Sequence, residues 1–398
     1  MRAHLQMSKS RMQLVTARLN VMMAVVLGFA PYLVQGQTFT TLYSFKGGGD
    51  GANPQSGVIS DAVGNLYGTT RYGGKAFCPL GCGVVYKLDP NGKETVLYHL
   101  PGGDVEYPQA KLALDSVGIL YGTATGEYPS PYGAVFKLDT TDRKATIYHF
   151  NGLNGYNSTA ELTTDGVGNL YGTAAFCNCG GGGIAFKLDS AGKQTILHTF
   201  AVTGTGARLP NAGLILDAVG NLYGTTKYGG DFLAGTVYKL DPSGTLSIIH
   251  SFRDGDDGAN PYASLVMDAA GNLYGTTPVG GIIFTYAFGI VFKLDMNGNE
   301  TVLHRFTGGA DGAHPYASLV LDSVGNLYGT TYEGGDYNLG TVFEVSVNGK
   351  FRVLHSFTGG TDGKYPLAPL LRDRAGNLYG TAYEGGDNFF GTVFKISP

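Results

Sequence analysis

Charge is scarce in this sequence. Only 15% of its 398 residues are Asp, Glu, Lys or Arg, and the formal net charge is −4. The basic residues are spread out rather than clustered. That argues against a nucleic acid partner, since phosphate backbones are bound by concentrated Lys and Arg. Long apolar runs are also missing. The one candidate, Val21–Leu33, is broken by Gly28 and Pro31 and falls short of the ~20 residues that a spanning helix needs. Tryptophan is absent and cysteine occurs four times. No Ser-His-Asp arrangement, metal-protease motif or phosphate loop is found. Glycine is plentiful, yet Val, Leu, Ile, Tyr and Phe recur with strand periodicity, so a packed β protein is expected rather than a disordered one.

The short apolar run fits an export signal over residues 1–36. Arg2, Lys9, Arg11 and Arg18 precede it, and Val34-Gln35-Gly36 offers small residues for cleavage before Gln37. Met7 and Met12 are alternative starts. The segment holds four basic residues and no acidic one, so its removal takes the formal charge from −4 to −8. Residues 37–398 are expected to form one domain, soluble, secreted or periplasmic, without a membrane span, and monomeric.

What the sequence has in abundance is repetition. Leu-Tyr-Gly-Thr occurs seven times, at Tyr67, Tyr121, Tyr171, Tyr223, Tyr274, Tyr328 and Tyr379, with neighbouring copies 50 to 54 residues apart. Such a period marks a repeat architecture. The sixth copy shows the unit. Tyr316–Asp322 predicts a strand a, and Asp322–Asn326 a tight turn with Gly325 supplying positive φ. Leu327–Thr331 predicts strand b, Gly340–Val345 strand c and Phe351–Phe357 strand d. Four short antiparallel strands per repeat predict an all-β, seven-bladed β-propeller. The apolar runs fit, because a blade packed between neighbours buries both faces. Phe39–Phe45 matches a strand d, while the chain stops after strand c at Gly391–Ile396. Pairing those two segments would complete the last blade and close the ring.

The units Gly64–Thr70, Gly220–Thr226, Gly271–Thr277 and Gly325–Thr331 read Gly-Asn-Leu-Tyr-Gly-Thr-Thr. Together with Gly391–Lys395 and Thr301–Phe306 they resemble the GloVer tandem repeat of bacterial exported choice-of-anchor proteins, over Thr38 to Pro398. The resemblance implies an exported bacterial β-propeller-like protein and carries no activity with it.

Residues shared by all repeats read as scaffold. Asp61, Asp115, Asp165, Asp217, Asp268, Asp322 and Asp373 open the same turn and are expected to cap it. His198, His250, His304 and His355 share one strand d position, held by Tyr43, Tyr98 and Tyr148 elsewhere. They are too far apart for a common metal cluster, so packing or local hydrogen bonding is expected. The strand c lysines (Lys87, Lys137, Lys187, Lys239, Lys293, Lys395) are expected to lay their stems on apolar surface with the charge in water.

Residues that differ between repeats are the functional candidates. The d–a and b–c loops are long and variable, and should share one face. After the Pro position come Gln55, Gln109, Thr159, Asn211, Tyr262, Tyr316 and Leu367, which would ring the channel mouth and suit a small polar ligand or a sugar. Two positions on, Lys111 and Glu161 interrupt small residues, and an ion bridge across the channel wall is expected. A lyase or hydrolase is the rival reading, in which Lys111, Glu161, Glu106 and Asp104 would crowd one cavity. The loop Ile282, Ile283, Phe284, Thr285, Tyr286, Ala287 and Phe288 is unusually apolar, and either meets a partner or folds over the channel. Cys78 with Cys82 and Cys177 with Cys179 are expected to form local disulfides, the alternative being one zinc site from all four. No cofactor is expected. Calcium is the one ion weighed, on Asp50, Asp256, Asp257, Asp311 and Asp362 of the d–a loops and Glu333, Asp336, Glu384 and Asp387 of the b–c loops. The expected function is a non-enzymatic binding protein for an extracellular glycan or protein.

Overall fold

The computed structural model describes residues 37–75, 78–103, 105–126, 132–141, 145–280 and 288–398, with the side chains of 146 and 147 left aside. The expected signal over 1–36 lies outside them, as do Asp104 and most of the apolar loop 282–288. Thr38–Ser397 forms one compact unit. It holds seven antiparallel four-stranded sheets, a seven-bladed β-propeller. In blade six, strand a is Val320–Leu321, b is Leu327–Thr331, c is Thr341–Val345 and d is Phe351–Ser356. The chain's first strand, Thr38–Ser44, pairs with its last, Thr392–Ser397, in register Thr38 to Ser397. The last blade is thereby completed and the ring closed.

Each residue of Leu-Tyr-Gly-Thr has its own partner. The Tyr hydroxyl donates to the turn Asp in every blade, for example Tyr274 to Asp268 Oδ2 at 3.0 Å. That Asp also accepts from the Ala270 and Asn272 amides and from Asn272 Nδ2. Burial alone would raise the Asp268 pKa, but these hydrogen bonds outweigh it and hold the carboxyl below its ordinary value. Burial and the carboxylate together push the Tyr274 hydroxyl up to about 12. The strand c lysine stands over the same ring, as Lys293 does 5.7 Å from the Tyr274 centroid, so its role is a cation–π contact as well as a snorkelling stem. Blade six has Glu344 in place of that lysine, and Arg372 of blade seven takes over Tyr328 at 5.5 Å. The Gly is required because a strand c ring lies on it: a Cβ at Gly380 would sit 2.4 Å from Phe394 Cζ.

The Thr hydroxyl crosses to the next blade. Thr123, Thr173, Thr225, Thr276 and Thr330 donate to the carbonyls of Ala160, Ala212, Ala263, Ala317 and Ala368, and Thr381 closes the circle on Ser56 O at 2.9 Å. This explains why strand a has two paired residues and not the seven expected for Tyr316–Asp322. The Ala317 and Ser318 groups bond to the neighbouring blade instead of to a ladder.

The core lies between blades. The aromatic residue after strand d packs edge-on against the strand c ring of the following blade: Phe45 on Tyr86 at 5.1 Å, Phe200 on Tyr238 at 5.0 Å, Phe357 on Phe394 at 5.3 Å. Further out, a residue at the start of strand d faces the His or Tyr of the preceding blade. Phe351 stacks on His304 at 3.7 Å and Phe39 on His355 at 3.9 Å. Tyr148 donates to Gln194 at 2.8 Å. Between blades seven and one the facing residue is Glu94, near Tyr43 and Asp50.

Two predictions follow from these seams. Thr381→Val leaves the buried Ser56 carbonyl without its donor and is expected to cost about 1–2 kcal/mol in urea unfolding. Unchanged stability would show that the closing bond contributes nothing. Burial, with the Asp50 charge, raises the Glu94 carboxyl to about 7 against Lys46, which lowers it. Folded Glu94 therefore holds its proton more tightly than unfolded Glu94. The protein loses stability as pH rises from the unfolded value, about 4.3, to about 7, and the loss is then constant. Glu94→Gln should raise the melting temperature at pH 8 and not at pH 4. An equal shift at both would refute this.

Candidate functional site

All seven residues after the Pro position meet at one place. Gln55, Gln109, Thr159, Asn211, Tyr262, Tyr316 and Leu367 line a cavity of about 350 Å³ at the channel mouth on the long-loop face. Below them lies a narrower ring from the strand a segments: Gly57, Lys111, Glu161, Gly213, Ser264, Ser318 and Pro369. Its polar groups form a relay. The Gly213 amide donates to Ser264 Oγ at 2.9 Å, the Ser264 amide to Ser318 Oγ at 3.0 Å, and Ser318 Oγ to Glu161 Oε1 at 3.4 Å. Gly213 makes room for this, since a Cβ there would sit 2.5 Å from Glu161 Cγ.

The expected Lys111–Glu161 ion bridge does not form. Glu161 reaches across the channel to blade six. Lys111 borders both the mouth and a second cavity of about 1240 Å³, which opens between the short turns of blades five and six. That larger cavity is walled largely by turn and core positions that the repeat fixes in every blade, including Asp268, Tyr274 and Asp322. It offers little blade-specific chemistry. Glu106 is not with the pair either. It is buried in the loop between blades one and two, where its Oε2 lies 2.7 Å from Cys78 Sγ.

Tyrosines extend the mouth along one side. Tyr262 and Tyr316 meet at 6.1 Å, Tyr316 and Tyr332 at 6.0 Å, and Tyr332 and Tyr365 at 4.9 Å. Tyr72 and Tyr107 pair at 5.4 Å, beside Arg71, whose Nη1 donates to Gln55 Oε1 at 3.0 Å. Burial, with Glu333 and Tyr262 nearby, raises the Tyr316 hydroxyl above its ordinary value, so it stays a neutral donor.

The model of the Gloeobacter/Verrucomicrobia repeat matches residues 30–176, 79–284 and 210–398. The chain belongs to this family. No curated protein matches it. Among solved structures it is similar to a gluconolactonase from Xanthomonas campestris, at 15% identity over 91% of this chain and 89% of that one, TM-score 0.45. It is also similar to a putative gluconolactonase at 13% identity over 91% and 92%, TM-score 0.43.

One backbone feature of the repeat is not legible in the residue pattern. The residue before the Pro position has positive φ in every blade: Asn53, Tyr107, Asn157, Leu209, Asn260, His314 and Tyr365, at 51° to 59°. Asn53 and Asn260 use Nδ2, and His314 uses Nδ1, to reach the carbonyl that leaves strand b of the preceding blade. Tyr107 and Tyr365 hold the same backbone without that bond and contribute rings to the mouth. A bulky residue there costs about 1–2 kcal/mol, and such cost concentrates at functional sites. Asn53-Pro54 and Asn260-Pro261 were the available signal.

The remaining candidates fall elsewhere. The cysteines pair locally, Cys78 with Cys82 and Cys177 with Cys179, at Cα separations of 5.3 and 5.1 Å. Ile282, Ile283, Phe284 and Tyr286 lie outside the described residues. Phe288 is half-buried over Gly308 and beside His314, not presented as an open surface. The d–a acids cap their own loops: Asp50, Asp257, Asp311 and Asp362 accept from the amides of Lys46, Arg253, Thr307 and Thr358. Glu384 pairs with Lys364 at 3.1 Å and Glu333 faces His314 at 3.8 Å.

Tyr365→Asn is expected to raise stability by about 0.5–1 kcal/mol, by relieving the backbone and offering a donor to Tyr332 O as Asn53 does to Tyr383 O. A loss of stability in denaturant unfolding would mean that position 365 carries no strain.

Proposed function

We propose that this protein is an exported, non-enzymatic binding protein that takes a carbohydrate at the channel mouth of its long-loop face. The observation that carries the reading is the convergence of seven residues of five types, at one repeat position, on one small cavity flanked by tyrosines. Tyrosine rings stack on the apolar faces of sugar rings, while amides, hydroxyls, Lys111 and Glu161 match their hydroxyl groups. The volume, about 350 Å³, sits at the small end of ligand sites. The two disulfide pairs fit an oxidising compartment. Among the described residues no helix is long and apolar enough to cross a membrane.

Glycoside hydrolysis ordinarily uses two carboxylates. Glu161 is the single one among the described residues lining the mouth cavity, and it is hydrogen bonded to Ser318. That favours binding over turnover.

The test is a glycan screen of the protein comprising residues 37–398, followed by calorimetry on the hits. Tyr262→Ala and Tyr316→Ala should each weaken binding about tenfold or more, on the scale of one lost aromatic stack. Absence of any glycan ligand, or variants that bind as well as the parent, would overturn the reading. Cleavage of a bound glycan that Glu161→Gln abolishes would establish the enzymatic alternative.

A further inference from the structure

The outer seams between blades form a natural comparison series. At four of them the His or Tyr of strand d meets a d–a loop acid and, across the seam, a residue from the start of the next blade's strand d. At the seam between blades five and six, His304 Nε2 lies 3.0 Å from Asp311 Oδ2 and its ring stacks on Phe351. At the next seam His355 Nε2 lies 3.0 Å from Asp362 Oδ2 and stacks on Phe39. Both are closed arrangements, in which the imidazole has its acid and an apolar cover.

The seam between blades four and five has the same His and Asp but a different third residue. Glu300 stands where Phe351 and Phe39 stand. His250 Nε2 is 3.8 Å from Asp257 Oδ2 and 3.9 Å from Glu300 Oε2, and ligand atoms of all three residues lie within 4.8 Å of one another. Neither carboxylate is at hydrogen-bonding distance from the imidazole. His250 Nε2 and Glu300 Oε1 are both buried without a hydrogen-bond partner, a costly condition for polar groups. The His250 ring is held edge-on against Phe252 at 4.8 Å, and both Asp257 oxygens accept from the Arg253 amide. The three side chains are thus held together, with His250 Nε2 and one Glu300 oxygen lacking a hydrogen-bond partner. Arg253 and Arg305 do not fill the gap: Arg253 lies over Phe232 at 5.2 Å and Arg305 reaches Asp256 at 4.0 Å.

We propose that His250 Nε2, Asp257 and Glu300 form a site for a divalent transition metal, with zinc as the fitting ion, bridging blades four and five. One imidazole and two carboxylates suit such an ion, whereas calcium takes oxygen ligands alone. Ligand atoms about 3.3 Å apart are expected for bonds near 2.0 Å in a tetrahedral site. The observed 3.8 and 3.9 Å need only a small inward movement of flexible carboxylates. Water completes the shell. The seam between blades seven and one supplies the contrast: Glu94 is present there, but Tyr43 replaces the imidazole and donates to Asp50 at 2.9 Å.

The experiment is a calorimetric titration of zinc chloride into chelator-treated, untagged protein of residues 37–398, with thermal unfolding alongside. One zinc per chain should bind, with a rise in melting temperature that grows with zinc concentration. Glu300→Gln and His250→Gln should each weaken binding about tenfold or more, while His355→Gln at the closed seam leaves it unchanged. Glu300→Phe recreates the arrangement of the closed seams and should fold stably while losing zinc. Absence of zinc binding at millimolar concentration, affinity unchanged in His250→Gln, or calcium binding as tightly as zinc would overturn the proposal.

Discussion

The ring depends on a hydroxyl that leaves its own sheet in six of the seven blades, Thr69 of blade one bonding Ser56 Oγ instead. Strand a contributes two residues to its ladder, so the innermost backbone of each blade cannot satisfy its carbonyls within the sheet. The Thr of Leu-Tyr-Gly-Thr supplies the missing donor from the preceding blade, up to the closing bond from Thr381 to Ser56. Left unmade, each such bond would strand a buried carbonyl at a cost of about 1–3 kcal/mol. The acceptors belong to small residues, Ser56 and a series of alanines, because a larger side chain would not fit where blades converge. Pinned on this central residue, the residues before and after it line the channel. The bond that closes the fold therefore also fixes the geometry of the candidate site.

That linkage explains how much of the site was legible beforehand. Strand b, the ring closure and the ring of Gln55, Gln109, Tyr262 and Tyr316 all follow from aligning a fixed motif, since register carries over from blade to blade. What register does not encode is where a long side chain goes. Lys111 and Glu161 occupy the same position in adjacent blades, yet their destinations depend on Gly213 and Ser318, from blades four and six. The positive-φ ring was invisible for a related reason. A single backbone angle leaves no periodicity, and the Asn–Pro pair that hints at it occurs only at Asn53 and Asn260.

The strand d histidines make the same point at the periphery. In sequence they are one class, and local bonding was the sound expectation for them. In space each is completed across a seam by a residue of the next blade, some fifty positions later or, for His355, at the other end of the chain in Phe39. Phe351 and Phe39 make two of them apolar and closed, while Glu300 makes a third polar and unpaired.

A closed ring of near-identical units can tolerate such departures. Every blade has its Tyr–Asp turn, and all but the first add a Thr bond and an aromatic contact to the next blade, so a strained Tyr365 or a poorly paired Glu300 costs only a small part of the total. Exceptions to the repeat are then permitted anywhere on the surface, and most need carry no function. The ones that matter should be those that both depart from the repeat and impose a physical cost. By that criterion the bulky residues in left-handed backbone at the mouth, and the carboxylate beside His250, stand apart from an exposed substitution such as Met296, which costs little and constrains nothing.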